Sequence, residues 1–273
     1  MSAIVLGHHF WEKDSPMDEQ SSLIEEDLRI SLLAHAIEAK ASLKNASDAS
    51  HVLGYFLDRV VGVAQVIATL RQVATFPWAN EAACLLRSSY DVSLQAMYLS
   101  NEPAKTDGLA RLYLDFGFVE QWQKIELAEK KGTKLAEDLL NSPRATARPE
   151  IKARYESVEE QFRKKGKGHG HRQNWYEGNL FTMADQVRLQ HEYQWIVKRL
   201  HGTLHASASA MRHGSCVPED FAFIMAHKLV LRVVGAIRKR CDVPLGQQVE
   251  EACKDLVSSW EQQDRAGDDL RKS

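Results

Sequence analysis

The chain has 273 residues, with 35 Lys+Arg against 37 Asp+Glu for a formal net charge of -2, and 44% of its residues are hydrophobic. That balance excludes intrinsic disorder, a collagen and a coiled-coil fibre, and as an average it favours neither an anionic nor a cationic partner. The cysteines Cys84, Cys216, Cys241 and Cys253 form no C-x-x-C pair and no zinc-like spacing, so they read as reduced thiols of a cytoplasmic protein.

The opening MSAIVLGHHFWEKD has only four apolar residues in a row before glycine and histidine, short of the ~7 to 15 of a signal peptide. Residues 1–17 are expected to be a flexible arm. The seven prolines, Pro16, Pro77, Pro103, Pro143, Pro149, Pro218 and Pro244, fall between stretches of helical periodicity or at their first turn, where the missing N–H is tolerated. The pattern predicts helices over 18–45, 47–75, 78–100, 104–140, 148–165, 181–188, 190–212, 219–240 and 246–264. Ser47 and Asp48 cap the second. Apolar residues recur at i, i+3, i+4 and i+7, as in Phe221, Ile224, Met225, Leu229 and Val233, and no alternating run suggests a strand. VVGVAQVIATL is the most membrane-like stretch, but Arg59 and Arg71 bracket it and it is too short to span a bilayer. It is expected to be a buried helix, with no membrane contact. The expected fold is all-α: one multi-helix, bundle-like domain over 18–264, a basic and partly flexible insertion at 142–180, and a polar tail at 265–273.

Two helices carry polar residues in apolar surroundings. Between Ala82 and Leu99, Arg87, Ser88, Asp91 and Gln95 interrupt a mostly apolar run and fall within a wedge of about 100°. This stripe either faces solvent, with an i,i+4 Arg–Asp pair, or faces a cleft where Arg87 binds an anion or orients a carboxylate. In the helix over 190–212, Tyr193, Val197, Leu200 and Leu204 form an apolar seam flanked by His201 and His205. Arg199 and His205, separated by five residues, resemble the Arg/His pattern of the HEPN nucleases, metal-independent helical RNases that act at a dimer interface. The resemblance implies acid–base transfer by His205 on a ribose 2′-hydroxyl and charge stabilisation by Arg199. His201 and His205 stand at i,i+4, but two ligands are not a metal site. No dinucleotide, phosphate-loop or nucleophile-elbow motif appears, so no metal and no cofactor is expected.

Charge is unevenly distributed. Residues 142–172 hold nine basic and four acidic residues, a net of +5, and the remainder carries -7. Arg163, Lys164, Lys165, Lys167 and Arg172 are the candidate contacts to a nucleic-acid backbone, the bland reading being a solvated loop.

Three blocks, LLRSSYDVSLQAMYLS, LARLYLDFGFVEQWQKIE and the stretch from Trp175 to Ser207, resemble a bacterial family known as domain of unknown function 5677, over roughly residues 80–210. The resemblance implies Arg87, Asp91, Arg111, Trp175, Tyr193 and His205 as its polar positions, with His201 beside them. Asp91 stands where glutamate is usual, and His201 where serine is expected. The leading expectation is an RNA- or phosphate-ligand-binding, HEPN-like module. It would be homodimeric, with a neutralising or activating protein partner left open, and as an enzyme a metal-independent ribonuclease of a toxin or phage-defence system. The alternative is a non-catalytic interaction or regulatory protein in which Arg87, Asp91, Arg111 and His205 form a buried structural network.

Overall fold

The computed structural model describes residues 32–43, 47–73, 79–131, 148–164, 171–172, 174–199 and 219–241. Every regular element among them is helical, so the chain is all-α. Helix α1 covers 32–42. It is followed by α2 (Asp48–Val73), α3 (Ala79–Ser100), a 3₁₀ turn (Pro103–Lys105), α4 (Thr106–Lys131), α5 (Arg148–Phe162) and α6 (Leu180–Gln186). Helix α7 begins as one α-turn, Gln190–Glu192, and opens into a π-helical segment, Tyr193–Arg199. The last is α8 (Glu219–Cys241).

Local chemistry sets these boundaries. The Ser47 hydroxyl accepts the Ser50 N–H at 3.2 Å, satisfying one of the donors that a helix start leaves without a partner. Asn179 does the same for α6, accepting from the Thr182 N–H at 2.9 Å.

The core is α2, α3 and α8 packed on one another, with α4 against α2 and α5 against α4. Each core helix contributes a stripe at helical spacing: Val52, Phe56, Val60 and Ile67 on α2, Leu86, Tyr90 and Leu94 on α3, Met225, Leu229 and Val233 on α8. Helix α2 is long and apolar enough to cross a bilayer by length and composition, but its apolar side forms the middle of this core. Buried Arg238 of α8 pairs with Glu38 of α1 and donates to His35 Nδ1 at 3.0 Å, which ties α1 down.

Two features of the structure go beyond the periodicity. Within 142–180, expected to be a basic and partly flexible insertion carrying a helix over 148–165, α5 places Phe162 in the core, and Trp175 and Tyr176 are buried there too. Large aromatic rings regain more by burial than the chain loses by being ordered. The helix expected over 190–212 widens at Tyr193. The reach of the first, fourth and seventh expected helices beyond 32–42, 106–131 and 190–199, like the whole helix at 246–264, lies outside the described residues.

Helix α6 ends in a Schellman turn. The Leu189 N–H reaches the Ala184 carbonyl at 2.8 Å and the Arg188 N–H reaches Asp185 at 3.2 Å, with buried Leu189 as the hydrophobic plug. The turn puts Arg188 at φ 59°, a conformation that costs a non-glycine residue about 1 kcal/mol or more. Arg188→Gly is therefore expected to stabilise the fold by about 0.5 kcal/mol, after its greater freedom in the unfolded chain is counted. The urea midpoint should rise, and a fall would show that the Arg188 side chain outweighs the strain.

Candidate functional site

The α3 stripe borders a cleft of about 700 Å³ between α3, α4, α5 and residues 174–180. Asp91 and Gln95 line its α3 wall, Arg111 and Tyr113 its α4 wall, Trp175 and Tyr176 its third side, and Arg154 of α5 its rim. The volume lies within the range of small-ligand sites.

A hydrogen bond across the fold holds this wall together. The buried Trp175 indole N–H donates to Gln95 Oε1 at 2.7 Å, and Gln95 Nε2 donates to the Asp91 carbonyl at 3.2 Å. Trp175 stands edge-on to Tyr98 at 5.8 Å and to Tyr113 at 5.7 Å, a favourable ring arrangement. Asp91 Oδ1 pairs with Arg87 Nη1 one turn earlier, on side chains 34% and 17% exposed. The stripe is half-buried rather than open to solvent. Burial pushes the Asp91 carboxyl up, and the bond and charge of Arg87 oppose this without cancelling it. Burial, with a smaller contribution from Asp91, pushes the Tyr176 hydroxyl up to about 12, so it remains a donor at neutral pH.

The structure brings some of the expected site residues together. Asp91, Arg111 and Trp175 share the cleft, and Arg87 reaches it through Asp91. Arg111 is already engaged, with Nε 3.2 Å from Asp115 and Nη1 3.5 Å from Asp48. Tyr193 stands apart from the cleft walls, half-buried against the core and edge-on to Phe181 at 5.3 Å. The backbone of Arg199 closes the π-helical segment, while its side chain and all of His201 and His205 lie outside the described residues.

Of the basic candidates, Arg163 pairs with Glu159 at 3.2 Å and Glu160 at 2.9 Å. Arg172 donates to the Gln161 carbonyl at 2.6 Å and stacks over the Phe162 ring at 5.3 Å. Lys164 is exposed, and Lys165 and Lys167 lie outside the described residues. Arg163 and His171 form an isolated antiparallel bridge. The His171 ring is within 3.3 Å of Gln123 Nε2 and 3.4 Å of the Tyr155 hydroxyl. The two ends of the 163–172 stretch are thereby fastened to α4 and α5.

Two features escaped the sequence reading. No local pattern joins the aromatic partners Tyr98, Tyr113 and Tyr176, which come from α3, α4 and the segment before α6. Glu192, with its side chain only 4% exposed, lies 3.2 Å from Lys228 and 3.0 Å from Arg232, which pins the start of α7 to α8. The i,i+4 spacing of Lys228 and Arg232 was the available signal. Among the described residues, no three His, Cys, Asp or Glu side chains gather as a metal site.

Burial alone would raise the Glu192 carboxyl. Lys228, the backbone N–H of Glu192 and Arg232 together outweigh it and hold the group below its ordinary value. A lowered carboxyl stabilises the fold above the unfolded-state value of 4.5 and loses that contribution as pH falls through its folded value. Glu192→Gln should cost about 2 kcal/mol at neutral pH, by leaving two cations facing a neutral group. In urea titrations the gap to the parent should narrow below pH 4.5, and a constant gap would contradict the pairing. Gln95→Leu should cost about 1 to 3 kcal/mol by stranding the buried Trp175 N–H, and an unchanged urea midpoint would show that this bond does not hold the wall.

Neither a curated protein nor a solved structure gives a significant match. A family model matches residues 35–221, which includes α2 to α7 and the whole cleft and extends beyond the three sequence blocks on both sides. The chain belongs to this family, the family of unknown function DUF5677.

Proposed function

We propose that this chain is an RNA-binding helical module that holds an unpaired nucleotide, with the base in the α3–α4 cleft and the phosphates at Arg154 of α5 and at Lys164 just beyond its end. The observation that carries the reading is the cleft itself. It has an aromatic and carboxamide lining, including Trp175, Tyr176, Gln95, Gln121 and Asn174. Arg154 stands on its rim with no side-chain partner among the described residues. Unpaired bases are recognised by such surfaces through ring contacts and hydrogen bonds to base edges, and arginine takes the phosphate. Helix α5 ends at Phe162 and is followed directly by Arg163 and Lys164, and the net +5 of residues 142–172 provides the long-range attraction. Of the three lining carboxylates, Asp91 and Asp115 are each paired with an arginine, which leaves Glu120 to be offset by Arg154 as an anionic backbone passes the mouth.

A second reading extends the first to chemistry. Glu192 fixes the helix that leads to Arg199, and π-helical turns such as Tyr193–Arg199 recur at functional sites. With His205 as acid–base group and Arg199 as charge stabiliser, across a homodimer axis as in the HEPN nucleases, the module cleaves the RNA without metal.

Fluorescence anisotropy with a single-stranded RNA hexamer tests the binding reading. Affinity should fall linearly in log–log form with salt, and Arg154→Ala and Lys164→Ala should each flatten the slope by about 0.7 to 1. Salt-independent binding, or none at low salt, contradicts it. For the catalytic reading, expression of the chain should arrest growth and degrade RNA in the presence of a chelator, and His205→Ala or Arg199→Ala should abolish both effects. Cleavage that survives either substitution removes that residue from the mechanism.

A further inference from the structure

The polar groups lining the inner part of the cleft are unequally occupied by protein partners. Both ends of the Gln95 carboxamide are used, one by Trp175 and the other by the Asp91 carbonyl. The Arg111 guanidinium is shared between Asp115 and Asp48. Arg87 occupies Asp91 Oδ1. Several lining groups have no such partner among the described residues, the Tyr113 hydroxyl among them, and two of these are Asp91 Oδ2 and the hydroxyl of Tyr176, a residue only 6% exposed. Both residues line the cleft, and they are close enough for the Asp91 charge to act on the phenol. Neither atom is one of the buried polar atoms left without a partner, so both reach the solvent of the cleft and are open to a ligand that replaces water there.

We propose that Asp91 and Tyr176 are the base-reading pair of this module, Asp91 Oδ2 accepting and the Tyr176 hydroxyl donating one hydrogen bond each to the Watson–Crick edge of an unpaired nucleobase. The proposal rests on the RNA-binding reading above and names what the cleft recognises. Its chemistry is restrictive. Because Arg87 holds Oδ1, the carboxylate offers a single acceptor, and the paired N1–H and N2–H of guanine cannot both be accepted as they are by a free carboxylate. The pair instead takes an edge with one ring N–H donor next to one acceptor, the N3–H and O4 of uracil or the N1–H and O6 of guanine, and excludes adenine and cytosine, whose ring nitrogen on that edge is an acceptor. A base in a duplex has that edge covered, so the same pair selects single strands. The Arg87–Asp91 contact positions the acceptor, and the Gln95–Trp175 bond and the edge-on contact of Tyr176 with Trp175 at 5.7 Å position the donor.

The test compares a uridine hexamer with a hexamer of N3-methyluridine, which lacks the donor and blocks the edge but keeps charge, sugar and ring. The full chain should bind the uridine hexamer at least 10-fold more tightly. Tyr176→Phe, which keeps the ring packing, and Asp91→Asn, which keeps an Arg87 partner, should each reduce that ratio to about 2-fold or less, while Arg154→Ala weakens both hexamers and preserves it. Circular dichroism and the urea midpoint confirm that each variant folds, and a variant that does not is replaced by Tyr176→Leu or Asp91→Ser. If both hexamers bind equally well, base reading at this edge is overturned and RNA binding stands. If discrimination is present but survives both Asp91→Asn and Tyr176→Phe, the edge is read by other residues and the assignment is overturned. If neither hexamer binds, the RNA-binding reading itself falls.

Discussion

A tryptophan that is buried in a helical core still has one N–H to satisfy, and meeting that demand organises the cleft side of this molecule. Trp175 lies in a short non-helical segment that, by helical periodicity, had no reason to enter the core. Its N–H finds Gln95, 80 positions earlier and in the C-terminal half of α3. Once the bond is made, the 174–180 segment is fastened beside α3, Tyr98 and Tyr113 take edge-on positions around the indole, and the space left between α3, α4 and α5 becomes a walled cleft. The side chain that secures the wall also supplies part of the site's lining.

Charge placement divides the structure into two regimes. Glu192 is almost fully buried but faces two cations, and the balance leaves it ionised below its ordinary value. Asp91 has a single cation and an environment of phenols, and the balance goes the other way. The first arrangement suits an anchor whose charge is spent within the protein. The second suits a site, because a carboxylate that burial disfavours gains from any ligand hydrogen bond offered to it. Buried charge is structural at one end of α7 and available at the cleft.

Much of the fold was legible in the sequence. Proline positions and i,i+3/i+4 stripes located α2, α3, α5 and α8 to within a few residues, because these signals are local and act through single turns of helix. Ser47 was readable as a cap for the same reason. The α3 stripe was legible as a wedge of polar residues, but not what it faced, since a helical pattern gives the direction of a face and not its partner. The Gln95–Trp175 bond and the contact of Glu192 with Lys228 and Arg232 join residues 80, 36 and 40 positions apart, and no window of the chain contains both ends. The π-helical opening at Tyr193 and the left-handed Arg188 have no residue signature, as neither glycine nor proline marks them. They follow from how α6 and α7 must turn to bury Leu189 and Ile196.

The central claim is that the cleft receives a nucleobase. It is tested most directly by NMR titration of the ¹⁵N-labelled chain with a single-stranded RNA hexamer, the indole signal of Trp175 being assigned through Trp175→Phe. A saturable shift of that indole N–H together with the Asn174 carboxamide, at one common affinity, is the predicted result. Saturable shifts elsewhere on the protein that leave both signals unmoved would contradict it.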